Sequence, residues 1–273
     1  MRSRVSRAVV FAALCLIGVS TVYPLLFMAL NSMRTSQAFE LNPFGLPTHL
    51  SFGSYSSLFS TIPFLQSILH SFIVVVPAVI LATFASSLAA FVFTKVPIKL
   101  GNALFWTMLM IMFVPGIVVL IPIYLEVVKT GLTNNFVPAI FIYTAINIPY
   151  GTYLLRSNFR AIPNSVVEAA RVDGASWFKI YLRVILPIGK PGIIIVGILT
   201  FFNIWNDLFI SLVLLHAPNT EMVTPTLTQL SGQFTSNVPL LMAGLLLAAL
   251  PTLLLYFATA RVFIRGMLSG AVR

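Results

Sequence analysis

Charge is what this sequence has least of. Only 8% of its 273 residues are Asp, Glu, Lys or Arg, whereas a soluble domain carries about a quarter. With so little polar surface the chain cannot cover a water-soluble globule, which excludes an ordinary cytosolic enzyme, a secreted scaffold and a disordered tail. Cysteine is nearly absent too. Cys15 is the single one, so neither an intrachain disulfide nor a cysteine metal cluster is available; it reads as a buried small hydrophobe. The three histidines, His49, His70 and His216, have no partner at metal-ligand spacing. Paired carboxylates and catalytic triads are missing, and so is a G-x-x-x-x-G-K-[ST] phosphate loop, which Gly189-Lys190-Pro191 is not. The chain therefore reads as neither an enzyme nor an ATPase, with no cofactor of its own.

What is present is hydrophobic residue, 59% of the chain, gathered in long runs. The class this leaves is an all-α integral membrane protein. Six runs are long enough to cross about 30 Å of hydrocarbon as helices: about 8–30, 67–94, 103–126, 138–155, 192–215 and 238–260. The first follows Arg2, Arg4 and Arg7 but is too long for a signal-peptide core, and reads as a retained span. Pro24, Pro77, Pro115, Pro122, Pro149 and Pro251 fall inside runs, where membrane bundles accommodate them as kinks.

Placing the N-terminus inside puts every one of the sixteen Lys and Arg except Arg34 and Lys129 on the cytoplasmic side. The net charge of +10 is thus cytoplasmic-loop enrichment and not a nucleic-acid footprint. The reading is one transmembrane domain, 1–273, multi-pass, with both termini cytoplasmic. Of the outer loops, 31–66 leaves room for a short interfacial helix near Tyr55–Phe59, and 216–237 reads as loop. No internal repeat supports an inverted-repeat transporter.

Residues 156–191, between spans four and five, are not linker-like. Pro163 suits a helix first turn, and Ser165 with Glu168 offers a capping box. A helix over 166–173 then meets Gly174, a natural left-handed stop. A second, amphipathic helix over Ser176–Ile185 is expected to end at Leu186-Pro187.

The spacing here resembles the EAA loop of ATP-binding-cassette importer permeases. Glu168-Ala169-Ala170 is followed after three residues by Gly174, and after nine more by Val184-Ile185-Leu186-Pro187; the family pattern has Ile at the position of Val184. Asn158–Pro163, Val172-Asp173-Gly174-Ala175-Ser176, Phe202–Asp207, Gly131–Asn135 and the end Gly266–Val272 are similar to the carbohydrate branch that includes maltose permeases. The resemblance covers about 120–273. It implies a coupling helix seated in a cleft of a separate ATPase, with Glu168, Ala169, Ala170, Asp173, Gly174, Leu186 and Pro187 as coupling residues. It also implies a second permease subunit, an ATPase dimer that binds the ATP, an external solute-binding protein, a carbohydrate substrate and a bacterial or archaeal cell membrane.

Asp207 stands with Asn203, Trp205 and Asn206 in the fifth run. An acid within a span is a functional candidate, and two roles are open for this cluster: hydrogen bonding between spans or subunits, or a sugar-facing path. The competing readings are a proton-coupled secondary transporter with Asp207 as relay, an importer subunit for a non-sugar solute, and a channel or structural membrane subunit.

Overall fold

Backbone N–H and C=O groups find no water in hydrocarbon, so a spanning chain satisfies them within its own helices. The computed structural model follows that rule. It describes residues 2–47, 49–233 and 237–271, with side chains over 7–47, 49–230 and 237–260, and among the described residues there is no strand. The helices run α1 (Arg2–Ser32), α2 (Ser36–Leu41), α3 (Gly53–Thr61), α4 (Phe64–Lys95), α5 (Gly101–Met110), α6 (Gly116–Lys129), α7 (Phe136–Arg160), α8 (Asn164–Val172), α9 (Trp177–Ile180), α10 (Leu186–Trp205), α11 (Phe209–Leu214), α12 (Val223–Gln233) and α13 (Val238–Ala271). Among the described residues four helical stretches are long and apolar enough to cross a membrane, or five when the bent pair of α5 with α6 is taken as one span. The side chains of Arg2, Arg4, Arg261, Arg265 and Arg273, and those of Gly266–Val272, lie outside the described residues.

Two of the expected spans are interrupted. Over 103–126 the chain bends by 92° between Phe113 and Gly116. Pro115 lacks an N–H and pushes its predecessor out of the helical region; Val114 accordingly has ψ 118°. Pro24, Pro77, Pro122, Pro149 and Pro251, by contrast, stay inside helices. The run 192–215 is likewise divided. α10 stops at Trp205, and α11 begins only at Phe209.

The helix expected to end at Leu186-Pro187 instead continues. Tyr181–Ile185 form one wide π turn, closed by the Leu186 amide on the Tyr181 carbonyl, and α10 starts with Pro187 in its first turn. A turn of this kind re-registers the hydrogen-bond ladder where the proline has no donor to give it.

The described residues gather into two compact units, 1–66 with 225–250 and 67–224 with 251–273. In the first, Cys15 is exposed on α1, contrary to its reading as a buried hydrophobe; none of the most apolar stretch of that helix is buried. Arg34, expected as an outer-loop charge, is buried. Its guanidinium donates to Asn31 Oδ1 at 2.9 Å and to the carbonyls of Gly45 at 3.0 Å and Asn42 at 2.9 Å, so the cation organises the 31–46 turn. The interfacial helix expected near Tyr55–Phe59 is α3, and Tyr55 Oη meets Ser32 Oγ at 2.7 Å. The 216–237 segment contains α12, which buries Leu227 and Leu230; the helix escapes sequence reading because Thr, Pro and Gln break its apolar pattern.

In the second unit, α7 and α10 pack closely enough that a Cβ on Gly189 would run into the Phe159 ring. The Gly131–Asn135 run is a turn with Gly131 at φ 69° and Asn134 at φ 55°. Asn134 Oδ1 accepts the amides of His216 and Ala217, each at 2.9 Å, and Asn135 Oδ1 caps α7 by accepting from the Val137 amide at 2.9 Å. His70 Nδ1 lies 3.0 Å from the Glu221 carbonyl. Lys129 pairs with Glu126 at 2.6 Å.

Candidate coupling helix and polar span break

The 161–187 segment is held to the bundle by its apolar face. Ile162, Val167, Ile180, Tyr181 and Ile185 are buried in one cluster with Ala90 and Phe91 of α4 and Leu155 and Phe159 of α7. Burying side chains of this size is worth about 1.5–3 kcal/mol each, so the segment is anchored to α4 and α7, α8 itself through Val167. Tyr181 Oη meets Ser87 Oγ at 2.6 Å, which partners the hydroxyl inside the cluster. Arg171 lies over the Trp177 ring at 4.7 Å.

α8 ends as the glycine spacing requires. Gly174 has φ 76°, its amide donates to the Arg171 carbonyl at 3.0 Å, and the Ala175 amide donates to the Ala170 carbonyl at 3.0 Å. That bond pair is a Schellman stop. The start differs from expectation. Pro163 is the N-cap and not a first-turn residue, and no side chain caps the helix, so Ser165 and Glu168 form no capping box. What ties this end to the bundle is Lys95 of α4, whose Nζ donates to the Ile162 carbonyl at 2.6 Å and to Asn164 Oδ1 at 2.8 Å.

The helix therefore has two distinct faces. Val167 is buried and Ala170 half-buried against the cluster, with Leu186 likewise half-buried. Glu168, Ala169, Val172, Asp173 and Pro187 are exposed, Val172 by 88%. Ala170, which the resemblance implies is a coupling residue, packs against its own chain.

The Asn203–Asp207 cluster is divided by the break after Trp205. Asp207 is not within a helix. Its Oδ1 accepts from the Tyr143 hydroxyl at 2.8 Å and from the Ile210 and Ser211 amides at 2.9 and 3.3 Å, so it caps the first turn of α11 from the position before the N-cap Leu208. Side-chain capping of this kind competes with helix continuation, which is why α10 stops here. Trp205 is buried, stacked on Phe201 with centroids 5.3 Å apart. Asn206 folds back onto the Phe202 carbonyl at 2.8 Å.

Asn203 alone faces a cavity, of about 480 Å³, shared with Asn147 and Tyr150 of α7 and with Met112, Val114 and Gly116 at the α5–α6 bend. Asn147, Tyr150 and Tyr143 were not singled out from sequence. The available signal was polar residues flanking Pro149 in the shortest run.

Residues 82–269 match the family model described as binding-protein-dependent transport system inner membrane component. The melibiose/raffinose/stachyose import permease of Bacillus subtilis is 32% identical, over 83% of each chain. The diacetylchitobiose uptake permease of Streptomyces coelicolor is 28% identical, over 97% of this chain and 89% of its own. Among solved structures, a bacterial ABC transporter involved in import of the acidic polysaccharide alginate matches with a TM-score of 0.79, 22% identity, and coverage of 96% of this chain and 98% of that one. The alginate transporter in complex with an alginate pentasaccharide-bound periplasmic protein matches at 0.68, with 16% identity over 95% and 97%. With the family model matching most of its length and the same helical fold in a solved transporter, this chain belongs to the inner membrane components of binding-protein-dependent transport systems: it is a multi-pass permease subunit.

Proposed function

We propose that the chain is one of two permease subunits of a carbohydrate importer. In this reading it crosses the membrane six times with both termini cytoplasmic. α1, α4, the bent α5–α6 pair, α7, the α9–α10 stretch and α13 supply the spans. α7, at 25 residues, is about 37 Å long and long enough to serve as the fourth. A solute-binding protein delivers the sugar outside. The exposed face of α8, with Glu168, Ala169, Val172 and Asp173, sits in a cleft of an ATPase subunit, and ATP-driven closure of the ATPase pair moves α8 and the spans together.

The observation that carries the carbohydrate reading is the cavity in which Asn203, Asn147 and Tyr150 converge. Amide groups and an aromatic ring in otherwise apolar walls suit a hydroxyl-rich ring, and a discontinuous helix beside them is where transporters place substrate contacts. The sugars named for the relatives agree with this. In proteoliposomes holding the complete complex, uptake of labelled raffinose, maltose and diacetylchitobiose should include at least one of the three. Asn203→Leu should lower that uptake about threefold to tenfold, the value of one or so lost hydrogen bonds, while ATPase activity stimulated by loaded binding protein is retained. Uptake of none of these sugars, with uptake of an amino acid instead, refutes the reading.

Orientation has its own measurement. In a Cys15→Ser background, cysteines at Ser57 and Gln229 should react with an impermeant thiol reagent in intact cells, and one at Ser165 only after permeabilisation. Labelling of the Ser165 site from outside would invert the topology and remove α8 from the ATPase side.

A further inference from the structure

We propose that the cavity at the Arg160 end of α7 binds the phosphate of an anionic lipid headgroup. The cavity holds about 450 Å³ and is lined by Arg156, Ser157, Arg160 and Tyr153 of α7 with Phe105 and Trp106 of α5. Arg156 is only 6% exposed. Its Nη2 donates to Asn102 Oδ1 at 2.5 Å, its guanidinium carbon lies 3.7 Å from the Phe105 ring centre, and its Nε has no hydrogen-bond partner. Arg160 stands one turn further along and is exposed. Among the described residues no carboxylate pairs with either arginine; the ion pair present is Lys129 with Glu126.

Two like charges four residues apart on one helix face repel, and a largely buried guanidinium without a counter-charge is costly. An anion between them removes both costs, and a phosphate matches the guanidinium fork, with Ser157 as a further donor. The aromatic residues indicate where that phosphate comes from. Trp106 and Tyr153 are 58% and 52% exposed beside the arginines, the arrangement that marks a membrane–water interface, and basic pockets between helices on the cytoplasmic side hold lipid headgroups. A free phosphate shares the oxygen chemistry but gains nothing from the apolar rim. The inference rests on the chain being a membrane permease with α8 inside, and is independent of which solute it carries.

The test is native mass spectrometry of the purified full chain titrated with phosphatidylglycerol or phosphatidylcholine, with inorganic phosphate as competitor. Phosphatidylglycerol should be retained in preference to phosphatidylcholine. Arg160→Gln, which alters an exposed side chain and so leaves the packing intact, should weaken that retention about fivefold, and Arg160→Lys should keep most of it. Inorganic phosphate in excess should fail to displace the lipid. Equal retention of both lipids, retention unaffected by Arg160→Gln, or full displacement by inorganic phosphate would each overturn the assignment, and none of these readouts depends on sugar uptake.

Discussion

Gly174→Val is expected to reduce transport about fivefold to thirtyfold while the chain still reaches the membrane. Gly174 sits at φ 76°, and a Cβ placed there would meet nothing within 4 Å, so the penalty is purely one of backbone conformation. For a non-glycine residue the left-handed region costs about 1–2 kcal/mol, and β-branching makes it a genuine outlier. A cost of that size depopulates the native turn about fivefold to thirtyfold. What it releases are the Gly174–Arg171 and Ala175–Ala170 hydrogen bonds, which end α8 and set the direction of its exposed face. Gly174→Asn should be milder, because Asn tolerates the left-handed region. Measured as uptake alongside co-purification of the ATPase, wild-type transport by the valine variant would refute the docking of α8. Ala170→Trp makes a different statement: Ala170 packs inward, so overfilling there strains the chain's own cluster and reports on α8's anchorage more than on its partner.

Asp207→Leu is expected to be far more damaging than Asp207→Asn. Leucine removes the cap of α11, worth about 0.5–2 kcal/mol. It also strands the Tyr143 hydroxyl, at about 1–3 kcal/mol for a polar group left without its partner. Asparagine keeps one side-chain oxygen for the Ile210 and Ser211 amides and the Tyr143 hydroxyl. A proton relay requires a group that gains and loses charge, so Asp207→Asn would eliminate proton-driven accumulation outright. The expected result is ATP-dependent uptake into vesicles that a protonophore does not abolish, with the asparagine variant weakened but active and the leucine variant close to inactive. Uptake that collapses with the protonophore despite ATP, and that Asp207→Asn abolishes, would establish a secondary transporter.

How far the sequence reaches is clearest at α8. Its glycine stop was legible because a left-handed turn demands a particular residue, and a local demand leaves a local mark. Its start was not, because the group that holds it, Lys95, comes from another helix 69 positions away. The same division recurs at the span breaks. Proline was visible in five of the six apolar runs, yet among those prolines Pro115 alone separates two helices, since whether a missing hydrogen bond is tolerated depends on what packs around it. Asp207 looked like an acid inside a span because hydropathy counts residues and ignores where a helix ends; its hydrogen bonds to Tyr143, Ile210 and Ser211 made it the cause of that ending.

Composition, the lengths of the apolar runs and the cationic bias were determined by the sequence alone, because each is a sum over residues that needs no knowledge of contacts. So was the membrane class that follows from them. Only the tertiary structure decided that Ala170 faces inward and Ala169 outward, that Asn203 joins Asn147 and Tyr150 around one cavity, and that Arg156 lies buried beside Phe105. Those outcomes depend on which helix faces pack together: along a span whose sides are mostly apolar the 3.6-residue period marks no preferred face, and on amphipathic α8 the neighbours Ala169 and Ala170 are the same residue type, so only packing decides between them.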